Sequence, residues 1–281
     1  MGNNFLVLAT DFGLKDRFVA NMKGVAYSLA PSLNIIDLTH QITPFDILGA
    51  SDILAGTIPF WPEGTIFVSV VDPGVGTSRK PIAALTKTGH IIITPNNGTL
   101  TYVAEHIGIE AVRIIDEKLH RREDSEQFHT FHGRDLFVHL GAKLASNKTQ
   151  FDKVGPLLPK IELVTLPTPI AKYSDHAIEG NIMRIESPFG NLVTNIHTSM
   201  FNNAGWNYEG QVLDTSIWSG EVELFRRKIP FCKSFGYVEK GAPLIYEDSV
   251  GKIGLALREA DFSILLEDFS LTNNILIFSE K

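Results

Sequence analysis

The stretch Thr65-Ile66-Phe67-Val68-Ser69-Val70-Val71-Asp72-Pro73-Gly74-Val75-Gly76-Thr77-Ser78-Arg79 decides the fold. Its first part is an apolar, β-branched run of strand length closed by turn residues, which reads as a buried strand. A proline and two glycines then force a tight, backbone-rich loop. Asp72 therefore stands where a strand ends and a loop begins, the edge at which α/β proteins bind ligands. Arg79 returns a permanent positive charge seven residues later.

Working outward, residues 5–9 and 34–38 read as short buried strands. Residues 17–29 read as a helix with Phe18, Met22, Val25, Ala26 and Leu29 on one face and Pro31 beyond its end. Residues 46–54 form a second helix, with Asp46 at the N-terminus to suit the dipole. Downstream, 81–85, 90–94 and 111–115 are strand candidates and 134–144 is a helix. The alternation predicts an α/β fold, an N-terminal α/β sandwich with a mostly parallel central sheet and helices on both faces. Pro156, Pro159, Pro167 and Pro169 then interrupt the pattern. Beyond them come short strand-like runs at 180–185, 192–196, 210–213, 221–225, 243–246, 252–257 and 275–278, separated by turns. That pattern predicts a small C-terminal antiparallel β-barrel. The expected organisation is an N-terminal α/β domain over 1–160, a linker over 161–174 and a β-barrel domain over 175–281.

Composition narrows the functional class. An apolar fraction of 44% and a charged fraction of 20% suit a folded chain with a sizeable core. A net charge of −7 without any basic block argues against nucleic acid and anionic membrane as partners. Cys232 is the only cysteine, so no intrachain disulfide can form. With no secretory signal and no apolar run of membrane-spanning length, a soluble cytoplasmic protein is expected.

Several polar blocks lie at strand ends. Thr10-Asp11-Phe12-Gly13 with Asp16 can offer a carboxylate to a ribose diol, or serve as a helix cap and turn. Asp37-Leu38-Thr39-His40 carries a histidine and a carboxylate, but no second ligand cluster has metal spacing, so His40 reads as a loop-fixing imidazole. Phe45 can wall a ligand pocket. Asp72, Arg79 and His132 unite an acid, a guanidinium and an imidazole, which can hold and polarise a water. Their ordinary alternatives are a structural ion pair and, in His132-Gly133-Arg134-Asp135, a helix entry. Pro95-Asn96-Asn97-Gly98 reads as a plain turn. Farther on, Glu186-Ser187-Pro188-Phe189-Gly190-Asn191 is dense in polar groups. Asn191 can read a base edge with donor and acceptor together, and Phe189 can stack on that base or belong to the core.

Taken in order, these blocks, together with Thr194-Asn195-Ile196 and Glu247-Asp248-Ser249, resemble the S-adenosyl-L-methionine hydroxide adenosyltransferases, whose relatives include fluorinase and chlorinase enzymes. The resemblance spans nearly the whole chain. It implies a two-domain fold and a homotrimer, with ligand held between the N-terminal domain of one subunit and the C-terminal domain of its neighbour. It implies hydrolysis of S-adenosyl-L-methionine to adenosine and L-methionine without metal or other cofactor. By that resemblance Asp72, Arg79 and His132 position and activate water, and Asp11 holds the ribose hydroxyls with Phe45 beside them. Asp16, Glu186 and Ser249 hold the methionine ammonium and carboxylate. Asn191 binds adenine, with Phe189 and Phe235 as stacking candidates. Glu186 stands where the family often has a shorter Asp, Asn96 where it commonly has Asp, and 252–261 departs from the usual Asn-Gly-rich pattern. Two other readings remain: a halide-dependent synthase of the same fold, which would lack the Asp/Arg/His set, and a nucleoside-binding protein without turnover.

Overall fold

A computed structural model describes residues 4–208, 210–267, 269–271 and 273–280. The chain divides into two compact units, one up to Leu166 and the other from Pro167.

The first unit contains β1 (Phe5–Thr10), α1 (Phe18–Leu29), β2 (Asn34–Thr39), α2 (Ile47–Thr57), β3 (Ile66–Val70), β4 (Pro81–Thr86), β5 (Ile91–Pro95), α3 (Thr101–His106), β6 (Ile109–Ile114), α4 (Glu117–His120) and α5 (Val138–Ala145). Its six strands form one sheet in the order β2-β1-β3-β5-β4-β6. The pairings among β2, β1, β3 and β5 are parallel, and β4 runs antiparallel to both its neighbours. Strand alternation sorts the core. Leu6, Leu8 and Val68 face a cluster with Met22 and Ala26 of α1 and Leu140 and Leu144 of α5. Val7 and Phe67 face the other way, toward Leu54 of α2 and Val103 of α3. This period of two across a sheet covered on both faces is why the strands read as continuous apolar runs. Gly141 lets α5 lie directly on the sheet, since a Cβ there would sit 2.7 Å from Val68 Cγ2 and 3.0 Å from Leu6 Cδ1. Asp46 caps α2, its Oδ1 accepting from the Gly49 N–H at 2.8 Å.

Within the expected linker, Leu166 is tied to the first unit, its N–H donating to Thr101 Oγ1 at 3.0 Å. Lys172–Ser174 forms β7, the first strand of the second unit. That unit continues with β8 (Ala177–Gly180), β9 (Ile182–Glu186), β10 (Asn191–His197), α6 (Thr198–Asn203), β11 (Val212–Ser219), β12 (Val222–Pro230), β13 (Pro243–Glu247), β14 (Lys252–Leu257) and β15 (Asn274–Ser279). All its strand pairings are antiparallel, in a four-stranded sheet β13-β14-β10-β9 and a five-stranded sheet β12-β11-β15-β8-β7. One core joins them, with Leu192 and Leu255 meeting Leu213, Ile217, Leu276 and Phe278 around Phe201 and Trp206.

Among the described residues no continuous ladder closes these sheets into the expected barrel, but their β12 and β13 edges touch at a parallel bridge between Phe231 and Ile245, where the Cys232 N–H donates to the Ile245 carbonyl at 2.8 Å. The other junction is made by side chains. Between β8 and β9 the Asn181 N–H donates to Asn195 Oδ1 at 2.7 Å instead of to a ladder carbonyl. Buried Asn274 of β15 then reaches β9 through its side chain, accepting from the Ile182 N–H at 2.6 Å and donating to the Ile182 carbonyl at 3.0 Å. At this junction side-chain amides take the place of strand pairing.

Candidate active site

Because β2, β1, β3 and β5 are adjacent and parallel, their C-terminal ends lie along one edge of the sheet. That edge gathers Asp11, His40, Asp72 and Asn97, each just beyond a strand. Asp11 and Phe45 meet there, the Phe45 N–H donating to Asp11 Oδ2 at 3.0 Å. Phe45 has a positive φ of 68° and is 71% exposed, so its ring is offered outward. His40 is buried between Thr10 Oγ1 at 2.8 Å and Asp37 Oδ1 at 3.0 Å, and it fixes the loop behind Asp11. Asp37 also accepts from Lys23 at 2.6 Å. Burial opposes ionisation of Asp37, but the hydrogen bonds from Lys23 and His40 outweigh it and lower its pKa. Asp16 is exposed, and its carboxylate accepts from the Arg17 N–H at 2.6 Å.

The structure joins Asp72 and His132 through Arg79, which contacts both. After β3 the chain turns on the Val75 N–H bond to the Asp72 carbonyl at 3.2 Å and the Thr77 N–H bond to Gly74 at 3.1 Å, which returns Arg79 over Asp72. Gly76 is needed in this turn: its φ is 77°, and a Cβ would press on the His129 carbonyl at 3.0 Å. Arg79 grips both oxygens of Asp72, from Nε at 2.9 Å and from Nη2. The same Nη2 lies 2.9 Å from His132 Nδ1. The side chains of Arg79 and Asp72 are only 9% and 5% exposed. Phe137 backs the guanidinium, its ring centroid 5.1 Å from Cζ. Asn97 is more than a turn residue, because its Nδ2 donates to the Val71 carbonyl at 2.9 Å and steadies the backbone entering Asp72.

His132 opens a π-helical turn over Gly133–Phe137 that leads into α5. Asp135 in this turn is fully buried and accepts from Arg122 at 3.0 Å and from Arg134 at 2.8 Å. It anchors the turn, as a helix-entry residue would. On its far side His132 meets a residue that the motifs did not mark. Arg121 Nη2 lies 3.1 Å from His132 Nε2 and donates to Glu117 at 2.5 Å. Burial first, then Arg79 and Arg121, push the His132 pKa below its usual 6.5. The signal for Arg121 was faint: a basic pair, Arg121-Arg122, on a short polar element.

A second constellation lies in the second unit. Glu186, Phe189, Asn191 and Phe235 line one cleft of about 810 Å³. Phe189 and Phe235 are 67% and 42% exposed, unusual for large aromatic side chains, and their faces suit stacking on a flat ring. Asn191 is buried, and its amide reaches Glu186 Oε2 at 3.3 Å. The opposite wall is Leu257, Arg258, Glu259, Ala260 and Asp261, part of the diverged stretch. Ser249 does not line this cleft; it lies in the exposed turn between β13 and β14. Among the described residues no cluster of three or more His, Cys, Asp or Glu side chains is placed to hold a metal, and no helix is long and apolar enough to cross a membrane.

Comparison with known proteins agrees with both halves. Residues 6–155 match the SAM hydroxide adenosyltransferase N-terminal domain, and residues 180–267 match its C-terminal domain. The chain is 31% identical to an (R)-S-adenosyl-L-methionine hydrolase of Salinispora tropica, with 90% of each chain covered. It is 30% identical to a fluorinase of an Actinoplanes strain, with 92% of each covered. Among solved structures, an uncharacterized conserved protein from Thermotoga maritima superposes with a TM-score of 0.87 at 32% identity, covering 97% of this chain and 99% of that one.

Proposed function

Because the chain belongs to the SAM hydroxide adenosyltransferase family, we propose that it hydrolyses S-adenosyl-L-methionine to adenosine and L-methionine. The observation that carries this reading is the contact set Asp72–Arg79–His132. Water oxygen attacks ribose C5′ in line with the sulfonium. The C5′–S bond breaks, its electron pair stays on sulfur, and methionine leaves as a neutral thioether, so no acid is needed at the leaving group. The work left to the protein is to aim and polarise one water. Both Asp72 oxygens already accept from Arg79, so Asp72 acts by holding the guanidinium in place. The proton leaves late, when the forming C–O bond has made the water strongly acidic, and passes to solvent, while neutral His132 accepts from Arg79 and helps hold the guanidinium on the water. A halide-dependent synthase reaction, in which halide replaces water as the nucleophile at C5′, is the poorer reading, because the halide would have to approach the Asp72 carboxylate.

Asp11 and Phe45 take the ribose, and the Glu186–Phe189–Asn191–Phe235 cleft takes adenine and part of the methionine. Asp16 and Ser249 complete the methionine grip. The proposed assembly is a cytoplasmic homotrimer in which each substrate uses the first unit of one protomer and the second unit of another. Light scattering should then give three times the 31.1 kDa chain mass.

The test is chromatography after incubating chelator-treated protein with each sulfonium epimer of S-adenosyl-L-methionine. The Salinispora relative carries the (R) form in its name, and the (R) epimer is expected to turn over here. Adenosine from the wild type, lost in Asp72→Ala and His132→Ala, supports the reading. A bound nucleoside without product, with or without halide, would replace it with a binding function.

A further inference from the structure

We propose that the first unit holds a second ligand site, for a phosphate-bearing anion, in the cleft between α1, α4 and α5, and that this site communicates with His132 through Arg121. The cleft has a volume of about 830 Å³ and is separate from the strand-end edge that carries Asp11 and Asp72. Lys118, Arg121, Arg122, Arg134 and Lys143 line it. The carboxylates facing these cations are Glu123 in the lining, Asp135 shared by Arg122 and Arg134, and Glu117 on Arg121. Five cations against three carboxylates leave an excess of positive charge in a chain whose net charge is −7. A concave patch of one sign concentrates counter-ions. Guanidinium forks flanked by lysine ammonium groups match the oxygens of a phosphate better than a single carboxylate. Val25, Leu29 and Leu119 supply an apolar wall, and the volume leaves room for an organic body beside the phosphate.

The link to His132 follows from hydrogen-bond accounting. Both ring nitrogens face an arginine N–H, Nδ1 at 2.9 Å from Arg79 and Nε2 at 3.1 Å from Arg121. A neutral imidazole has one acceptor nitrogen and one N–H, so it can satisfy only one of them. Arg79 is held by both oxygens of Asp72. Arg121, which also donates to Glu117 at 2.5 Å and to the Phe128 carbonyl at 3.2 Å, has the longer contact to His132 and lines the anion cleft, so it is the partner an anion can draw away. An anion that draws Arg121 into the cleft leaves His132 facing Arg79, Asp72 and Glu117, with one cation fewer. Its protonation midpoint then rises.

The test uses intact protein without substrate, so its outcome is independent of the hydrolase reading. Calorimetry with inorganic pyrophosphate and with ADP is run on the wild type and on Lys118→Gln/Lys143→Gln, where glutamine keeps a donor at each position. Histidine-selective NMR follows the His132 ring, assigned with His132→Gln. Saturable binding that weakens at least tenfold in the double variant, with an upward shift of the His132 midpoint on binding, supports the proposal. Tighter ADP would identify an organic phosphate, and equal or tighter pyrophosphate a free polyphosphate. Absence of saturable binding by either probe, or equal binding by both proteins, overturns the site. Binding that leaves His132 unmoved overturns the coupling.

Discussion

Arg79 serves two partners at once, gripping a carboxylate with Nε and Nη2 while the same Nη2 addresses His132. A lysine is a point donor and cannot span both. Arg79→Lys is therefore expected to lower kcat by roughly 10²–10⁴-fold, the range for loss of a positioned acid–base apparatus, with a much smaller change in KM. Steady-state kinetics checks this, and a change confined to KM would show that Arg79 only binds substrate. His132 makes a pH prediction. Burial and two cations disfavour imidazolium, so the neutral ring persists below pH 6.5. Activity that needs the neutral ring should fall only at a pH lower than that. Replacing Arg121 by Gln removes one of the lowering charges, so the acid limb of kcat/KM should move to higher pH. A limb that stays put would mean the titrating group is another one.

At the scale of elements, α4, the π-helical turn and α5 carry His120, His132 and His139, all buried and all with pKa lowered, in each case chiefly by burial. The unfolded chain takes up protons first as pH drops below 6.5, so this part of the fold loses stability as pH falls toward the native values. Thermal melts at pH 7.5 and 5.5 should show the lower Tm at pH 5.5. Gly141 gives a packing prediction. Valine there drives its side chain into Leu6 and Val68, and overpacking of this kind costs about 1–3 kcal/mol. Urea unfolding of Gly141→Val measures it. The parallel strands and α1, α2 and α5 were legible because each has a strong apolar period. Helices α3 and α4 were not, because a six-residue and a four-residue helix gain their stability from tertiary contact rather than from their own sequence. Strands β11 and β12 run longer than the sequence suggests. Arg226, Arg227 and Lys228 interrupt the apolar alternation of edge strand β12. The junction of β8, β9 and β15 depends on the side chains of Asn195 and Asn274, whose long-range contacts a strand pattern does not reveal.

For the whole molecule, the two units carry different chemistry: a carboxylate–guanidinium–imidazole set at a strand edge in the first, and an aromatic, amide-bearing cleft in the second. The strand-end placement of Asp11 and Asp72 was legible from apolar runs followed by turn residues. The meeting of Asp72 with His132, sixty residues away, was not derivable from spacing and came only through resemblance to a family. Arg121 and Asn97 were missed because their roles are long-range, one across to the His132 ring and the other to the Val71 carbonyl. The central claim is that water, directed by Asp72, Arg79 and His132, attacks C5′. It is tested most directly by turnover of S-adenosyl-L-methionine in ¹⁸O-labelled water with mass spectrometry of both products. The account predicts one ¹⁸O in adenosine, none in methionine, and loss of the labelled product in Asp72→Ala. Label in methionine, or unlabelled adenosine, would contradict it.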